Sequence, residues 1–448
     1  MTVHIIQDFV PYNESVIWDL TEKYYKENGL DVFSKMEAKD IVPYESTSNY
    51  QSAKAYLEML IASSKDLPES SFPLKLLDCG AGNGYFAYNL LHAAKEMNFL
   101  DKIYVIITDF AKENLLGVKK KKILAGFEEF KHYELVELDV SNLETAKSLD
   151  DKPYKFENIY AVSMNYLLDL LPLTVLNRKN SMFKEKFDQL QIKTFIESKE
   201  DLKDMDFMTY CKALDYEFKW APYKIEEEPE SEKKYYDFFL NYHEKNKTIV
   251  GRHLYFPYFS FISIEALMKV VTDDGFLYIA DIPPRKYEIF KSFGASISHE
   301  IEVEILAAFA ADLLGYDSVS LVDDILSRII ICKSNKLKIE LKKSFNKVFI
   351  EENMVNRLAD IRLALGSFHH KEASDIFLTL LDEFEKLAGP SSEVALRRGY
   401  YHRINGDFKK AKEYYEKAKK LDFINDYDID AILWKLEHEQ KDPELTVF

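Results

Sequence analysis

The sequence predicts an α/β protein built around a mostly parallel β-sheet, and three observations lead to this fold class. Between residues 74 and 333, short apolar runs rich in β-branched and aromatic residues alternate with segments of helical period. The first run leads into a glycine-rich turn that opens a helix. The last two runs are separated by only a few residues, so the final strand must run antiparallel to the strand before it. In chain order the runs are LKLLDCG, KIYVIITDF, YELVELDV, NIYAVSMN, GFLYIADI, YDSVSLV and RIIICKS.

The chain is long enough for two or three domains, because it has 448 residues and ordinary domains hold roughly 100–200. A composition of 47% hydrophobic and 30% charged residues indicates a globular protein nearly throughout. Helical spacing of apolar residues predicts a helical N-terminal region over 1–70, ahead of an α/β domain over 71–335. Residues 177–250 interrupt the strand and helix alternation, and we interpret them as an inserted helical cap.

Charge and cysteine content exclude several function classes. A formal net charge of −17 repels phosphate backbones and anionic lipids, so we expect no nucleic-acid partner and no membrane partner. The sequence MTVHIIQDFVPYNE lacks the pattern of a secretory signal, and we expect a cytoplasmic protein. The three cysteines, Cys79, Cys211 and Cys332, lack paired spacing and are expected to be buried thiols, with no metal site.

The C-terminal region, 340–448, is helical in pattern and contains the segment GDFKKAKEYYEKAKKLD. Small and aromatic residues alternate there at positions that let two antiparallel helices pack closely, which is typical of tetratricopeptide (TPR) repeats. These residues are Gly406, Phe408, Ala411, Tyr415, Ala418 and Leu421. Ala373, Phe377 and Leu380 repeat the pattern in an earlier segment, so the sequence predicts a degenerate pair of TPR-like units that holds a protein partner.

The segment LLDCGAGNGYFAYNLL carries the strongest chemical signal. Asp78 ends an apolar strand, and Gly80, Ala81, Gly82 and Gly84 follow it before a helix begins. Glycines there allow a tight turn and a close approach of the backbone to a ligand. A dinucleotide-binding turn would read G-x-G-x-x-G, whereas this turn reads G-x-G-x-G after an acid. A carboxylate suits the amine, sulfonium and ribose diol of S-adenosylmethionine better than it suits a phosphate, which leaves an NAD-linked enzyme as an alternative.

Two further strand ends support a nucleotide-like ligand. Asp109, followed by Phe110, ends the second strand 25 residues after Gly84, where an acid can accept both ribose hydroxyls. The third strand ends in Asp139 and Val140, which are candidates for the adenine amino group and the adenine ring. A simple turn or helix cap is the competing interpretation of Asp139.

With these residues the segment from 74 to 333 resembles the class I S-adenosylmethionine-dependent methyltransferases. Asp78, Gly80, Gly82 and Gly84 match the first motif of that superfamily. The resemblance implies a Rossmann-like, mostly parallel seven-stranded sheet with an antiparallel last strand. It also implies S-adenosylmethionine as cofactor, with Asp109 on the ribose and Asp139 on the adenine side.

A narrower resemblance is to the MidA-like methyltransferases, related to arginine methyltransferases of respiratory complex I assembly. Their fourth strand runs into N-E-x-x-D-x-x-P, and SMNYLLDLLP matches it at Asn165, Asp169 and Pro172. The Glu position is Tyr166 here, and if that Glu binds the substrate guanidinium, its replacement argues against arginine methylation. We take Asn165, Tyr166 and Asp169 as catalytic candidates: Asn165 would orient the attacking atom, while Asp169 is expected chiefly to fix the local turn. Asp281, at the end of GFLYIADI, is a further candidate at the same edge of the sheet.

The leading functional hypothesis is a protein methyltransferase whose TPR-like module recruits its substrate. The alternatives are a small-molecule methyltransferase that uses the module to form a homodimer, and a catalytically silent scaffold that binds the cofactor. The hydroxyl-rich segment 42–51 is also expected to fold over the cofactor, with Tyr44 and Asn49 as contacts. Its competing interpretation is a helix N-cap and turn.

Overall fold

The structure is a computed structural model. It describes the following residues: 2–33, 45–178, 187–198, 202–225, 228–246, 253–281, 291–293, 296–322, 326–366, 374–423 and 427–441.

Strands run through the N-terminal three quarters of the chain. In chain order they are β1 (Thr2–Pro11), β2 (Leu74–Cys79), β3 (Ile103–Asp109), β4 (Tyr133–Glu137), β5 (Lys147–Ser148), β6 (Ile159–Asn165), β7 (Thr174–Arg178), β8 (Phe187–Ser198), β9 (Leu214–Pro222), β10 (His253–Phe256), β11 (Val271–Asp281), β12 (Lys291–Phe293), β13 (Ser296–Ser298), β14 (Asp317–Val322) and β15 (Ser327–Cys332).

Helices cover both faces of the main sheet and make up the described C-terminal region. They are α1 (Val16–Asn28), α2 (Glu45–Ser48), α3 (Tyr50–Ser64), α4 (Tyr85–Glu96), α5 (Lys112–Lys120), α6 (Phe207–Lys212), α7 (Glu230–Lys245), α8 (Tyr258–Val270), α9 (Val303–Asp312), α10 (Asn335–Asn346), α11 (Met354–Gly366), α12 (Ser374–Ala388), α13 (Ser392–Ile404), α14 (Phe408–Leu421) and α15 (Ile429–Lys441). None of these helices combines the length and the apolar character needed to cross a bilayer.

The main sheet has the order β14-β15-β11-β6-β2-β3-β4-β5. Its central strands are parallel, and β15 runs antiparallel to both β11 and β14. The predicted α/β fold with an antiparallel last strand is therefore confirmed. The sheet has eight strands where seven were expected, because the two-residue strand β5 pairs with the outer edge of β4. A strand that short leaves no periodic pattern in the sequence.

Burial on both faces explains why the sheet strands read as continuous apolar runs. Leu76 and Ile107 pack on one face against α3 and α4. Leu77 and Ile106 pack on the other face against α8 and α9. Parallel strands end at a common edge, so β2, β3, β6 and β11 bring their last residues to one side of the molecule.

A second, antiparallel sheet corrects two of the expectations. It joins β1, β8, β7 and β10 in that order, with β9 also paired to β8. Residues Thr2–Pro11 of the N-terminal region, which was predicted to be helical, thus form a strand, and the inserted cap contains strands as well as helices. The burial pattern of β8 alternates, with Leu190 and Ile192 inside, which is a two-residue period and not a helical one. That sheet packs against α1 through Tyr12, Ile17 and Trp18.

The described C-terminal residues are helical, as expected, but α10 belongs to the core of the α/β domain. Leu341 and Phe345 of α10 are buried in the same cluster as α3. Farther along, α13 packs closely on α14, and a Cβ atom added at Gly399 would lie 2.4 Å from Cε1 of Tyr415. Ala411 and Ala418 are fully buried at this contact. The TPR-like identity of these helices stays a prediction, and Ala373 lies outside the described residues.

Candidate functional site

Three glycines form a left-handed turn between β2 and α4. Gly80, Gly82 and Gly84 have φ values of 68°, 52° and 75°, a region that side-chain-bearing residues rarely adopt. A Cβ atom at Gly80 would lie 2.9 Å from Cδ1 of Leu167, and one at Gly82 would lie 2.7 Å from Cζ of Phe33. A larger residue would push these two side-chain ends aside and would also be strained by the positive φ, so the turn favours glycine at both positions.

Asp78 lies at the end of β2, directly before this turn, and is only 3% exposed. The Ser163 hydroxyl donates to its Oδ1 at 2.7 Å. The other oxygen, Oδ2, is buried and has no hydrogen-bond partner within the part of the chain that the structure describes. Burial raises the pKa of Asp78 to about 7, the hydrogen bond from Ser163 opposes this rise, and the charge of Asp109 adds to it. The site thus offers a buried acceptor that no residue of the described ranges satisfies and that a bound ligand can satisfy.

Sequence reasoning missed Ser163. It lies directly across from Asp78 in the pairing of β2 with β6. The available signal was a polar residue inside the otherwise apolar run YAVSM, at the position where the neighbouring strand ends in an acid.

Asp109 ends β3 and holds the glycine turn in place. Its Oδ2 accepts from the Gly82 amide at 2.8 Å, and its Oδ1 accepts from the Ala111 amide at 2.9 Å and from Nδ2 of Asn114 at 3.2 Å. Burial raises the pKa of Asp109 to about 6 against the lowering effect of these bonds. The contacts of this carboxylate are therefore to the glycine turn and to the start of α5, and its predicted bond to a ribose stays a prediction. Phe110 follows it, half-buried, with its ring 6.0 Å from that of Tyr25.

Asn165 ends β6, next to β2. Neither atom of its side-chain amide, Oδ1 or Nδ2, has a hydrogen-bond partner among the described residues, although both are buried. Tyr166 follows with φ of 48°, and its amide donates to the Ala280 carbonyl at 2.9 Å. A tyrosine in the left-handed region is uncommon and costs of order 1–3 kcal/mol. The chain therefore turns sharply at Tyr166, directly after Asn165 at the end of β6, and β6 pairs with β2, the strand that carries Asp78.

Asp169 and Asp281 lie beyond Asn165, fully buried at the ends of neighbouring segments. Oδ2 of Asp281 accepts from the amides of Leu168 and Asp169 at 3.0 and 3.3 Å. Asp169 Oδ1 is buried without a partner in the described chain. Burial, and then the charge of Asp281, raises the pKa of Asp169 well above its ordinary value, which favours the protonated form. Asp281 therefore fixes this turn through two backbone amides, and the turn-fixing role expected of Asp169 stays a prediction.

Asp139, unlike the four acids described above, is not buried. Its side chain is exposed, and its Oδ1 accepts from the amide and the hydroxyl of Ser141 at 2.9 and 2.6 Å. That is the local-turn geometry of the competing interpretation. Val140 is buried in the core on the β2 face that carries Leu77. The adenine-side roles of both residues stay predictions.

Asn49 also has a structural role. Its side chain accepts from the Ser52 amide at 2.9 Å and caps α3. Tyr44 and its neighbours 42–43 lie outside the described residues. Leu167, Phe33 and Val118 lie on the glycine turn, Phe33 from a short 3₁₀ segment over Gly29–Phe33 and Val118 from α5. No periodic pattern in the sequence indicates that these residues lie on the glycine turn.

Comparison with known proteins gives distant likenesses. No protein-family model and no curated protein matches the sequence. Among solved structures, an uncharacterised protein from Burkholderia thailandensis is 12% identical over 85% of this chain and 83% of its own, with a TM-score of 0.45. Another B. thailandensis protein, bound to S-adenosylhomocysteine, is 12% identical over 85% of this chain and 84% of its own, with a TM-score of 0.43. Magnesium protoporphyrin IX methyltransferase from Synechocystis, with bound S-adenosylmethionine, is 11% identical over 71% of this chain and 97% of its own, with a TM-score of 0.34. Because these scores are low, the fold is established by the strand order of the chain itself.

Proposed function

We propose that the protein is an S-adenosylmethionine-dependent methyltransferase. The observation that carries this is the buried Oδ2 of Asp78, without a partner in the described chain, directly before a turn of three left-handed glycines. An unsatisfied buried carboxylate oxygen favours a cationic donor, and the ammonium group of the methionine part is one. A pyrophosphate would be repelled by Asp78 and by Asp109 at the end of the next strand. When bound, S-adenosylmethionine supplies an activated methyl group.

The chain's own contribution to the reaction is to hold the reactants in place. Asn165, with both amide atoms unsatisfied within the described chain, can accept from or donate to an attacking nitrogen or oxygen. When it is protonated, the form that its burial favours, Asp169 can donate a further hydrogen bond at the same edge. Methyl transfer needs in-line alignment more than it needs a strong acid or base, so positioning of this kind supplies most of the rate.

We extend the proposal to a protein acceptor held by the TPR-like C-terminal helices. Two hydrogen bonds between those helices and the α/β domain support this extension, and they involve α3 and α4, the helix that follows the glycine turn. Nε2 of Gln51 donates to the Leu387 carbonyl at 2.6 Å, and the Tyr88 hydroxyl donates to the Pro390 carbonyl at 3.3 Å. A fixed module would hold a bound protein at a constant distance from the site.

The cofactor assignment is tested by titration calorimetry with S-adenosylmethionine, S-adenosylhomocysteine and NAD in parallel. We expect the first two to bind and NAD not to bind. Asp78→Asn should weaken S-adenosylmethionine by roughly 10- to 100-fold, since a hydrogen bond to a charged group contributes about 1.5–3 kcal/mol. Asp101→Asn, an exposed acid at the opposite end of β3, is the matched control and should bind normally. Binding of NAD in place of S-adenosylmethionine would contradict the proposal.

The acceptor is tested with S-adenosylmethionine labelled in its methyl group, mixed with the full chain and a cell extract. We expect the label in the protein fraction, and no transfer by Asp78→Asn. Label confined to small molecules would favour the small-molecule enzyme. Cofactor binding without any transfer would favour the silent scaffold.

A further inference from the structure

Tyr56 is a buried tyrosine whose hydroxyl has no partner within the described chain, and the roles assigned so far do not use it. It lies on α3 and is 1% exposed. Three aromatic rings surround it, with centroids at 5.6 Å (Phe86), 5.9 Å (Phe276) and 5.6 Å (Tyr278). Such a hydroxyl has lost its water, and leaving it unsatisfied costs about 1–3 kcal/mol. An unexplained buried donor therefore calls for an acceptor that is not part of the described chain.

The strand register places Tyr56 on the same face of the sheet as Asp78. Ser163 is paired with Asp78 on one side and with Tyr278 on the other, so these three side chains project to one face. Tyr56 packs on the Tyr278 ring from that face. Burial raises the pKa of the Tyr56 hydroxyl well above its ordinary value, and the charge of Asp78 adds to this rise. Tyr56 is therefore a permanent donor at neutral pH, close to the acceptor on Asp78.

This donor and this acceptor do not satisfy each other. Oδ1 of Asp78 is taken by Ser163, while Oδ2 of Asp78 and the hydroxyl of Tyr56 both lack partners within the described chain. A ligand that satisfies both must present a donor and an acceptor side by side. The ammonium and carboxylate groups of an α-amino acid, carried on one carbon atom, have that arrangement.

We propose that Tyr56 binds the carboxylate of the methionine part of S-adenosylmethionine, while Oδ2 of Asp78 accepts from its ammonium group. This inference rests on the proposed function and assigns a residue of α3 to the site. The Asn165 amide, at the end of the strand that carries Ser163, has a donor to add to the same carboxylate. The pair Asp78 and Tyr56 would make the site specific for an intact amino-acid head group.

The test compares S-adenosylmethionine with its decarboxylated form, which keeps the amine and the sulfonium and lacks the carboxylate. The wild-type chain should bind S-adenosylmethionine at least about tenfold more tightly, as expected for one hydrogen bond to a charged group. Tyr56→Phe should weaken S-adenosylmethionine by a similar factor and leave the decarboxylated ligand unchanged. Asp78→Asn should weaken both ligands, because both carry the amine.

Tyr160→Phe is the matched control, since Tyr160 is a tyrosine of the same core whose hydroxyl donates to Oγ of Ser63 at 2.9 Å. It should leave the affinity for both ligands unchanged. Equal weakening of both ligands by Tyr56→Phe, or no weakening of either, overturns the inference. Should Tyr56→Phe fail to fold, equal affinity of the wild-type chain for the two ligands overturns it on its own. A wild-type chain that binds neither ligand contradicts the proposed function first.

Discussion

Asp78 carries a carboxyl group in a buried environment, and burial disfavours its ionised form. Its pKa is raised to about 7, first by burial, so the free protein holds a mixture of protonated and ionised Asp78 at neutral pH. A cationic ligand binds the ionised form and stabilises it. The affinity for such a ligand must therefore depend on pH.

We expect the affinity for S-adenosylmethionine to fall by roughly tenfold between about pH 7.5 and pH 5.5, because protonation of Asp78 competes with the ammonium group below its pKa. Above that pKa the carboxylate is already ionised and its contribution is constant. Calorimetry across this range measures the effect. Asp78→Asn should bind more weakly and with a much flatter pH profile, and an unchanged wild-type affinity at the lower pH would refute the role given to this carboxylate.

Asp169 and Asp281 show how position decides the work of a carboxyl group. Both are buried at the same edge, yet Asp281 accepts two backbone amides while Asp169 keeps Oδ1 without a partner in the described chain. The amides hold Asp281 as an acceptor, and burial next to it favours a protonated Asp169. Two acids of the same type therefore differ in their surroundings: backbone amides satisfy Asp281, while burial raises the pKa of Asp169.

Among the elements, the contact between α13 and α14 depends on one small residue. Gly399 faces the Tyr415 ring so closely that a Cβ atom would lie 2.4 Å from Cε1 and 2.5 Å from Cδ1. Tyr415 is itself buried and belongs to the cluster that joins these helices to α15. Because Tyr415 is only 2% exposed, its ring has little free space into which it could move.

Gly399→Ala should therefore destabilise the C-terminal helices by about 1–3 kcal/mol, as overpacking of a filled core does. Thermal unfolding followed by circular dichroism should show a lower transition temperature. Gly366→Ala is the matched control, because no atom of the described residues lies within 4 Å of a Cβ atom there and alanine favours a helix. A loss of stability in the control as large as that in Gly399→Ala would show that the contact with Tyr415 is not the cause.

For the molecule as a whole, the C-terminal helices and the α/β domain are not independent. Leu341 and Phe345 are buried with α3, and a Cβ atom at Gly389 would lie 2.5 Å from Cγ of Tyr50. Removing the chain after residue 338 would remove Leu341 and Phe345 from the core that they share with α3. Any test of a recruited protein therefore needs the full chain with point substitutions.

The sequence by itself determined the α/β class, the parallel order near the glycine turn and the acids at the strand ends. These features depend on local patterns: a two-residue or 3.6-residue period, and glycines where φ must be positive. The three cysteines, expected to be buried thiols, are free and buried.

The features that depend on pairing between distant segments could be seen only in the tertiary structure. Strand β1 pairs with β8, which is far away in the chain. Because of this pairing, part of the segment 177–250, predicted as a helical cap, belongs to a sheet. The amide of Gly82 donates to the carboxylate of Asp109 across the turn, a contact that the sequence did not indicate. Tyr56 and Asp78 lie close together because α3 packs over β6 and β11. Such contacts join residues whose separation exceeds any local period, and for that reason no pattern in the sequence records them.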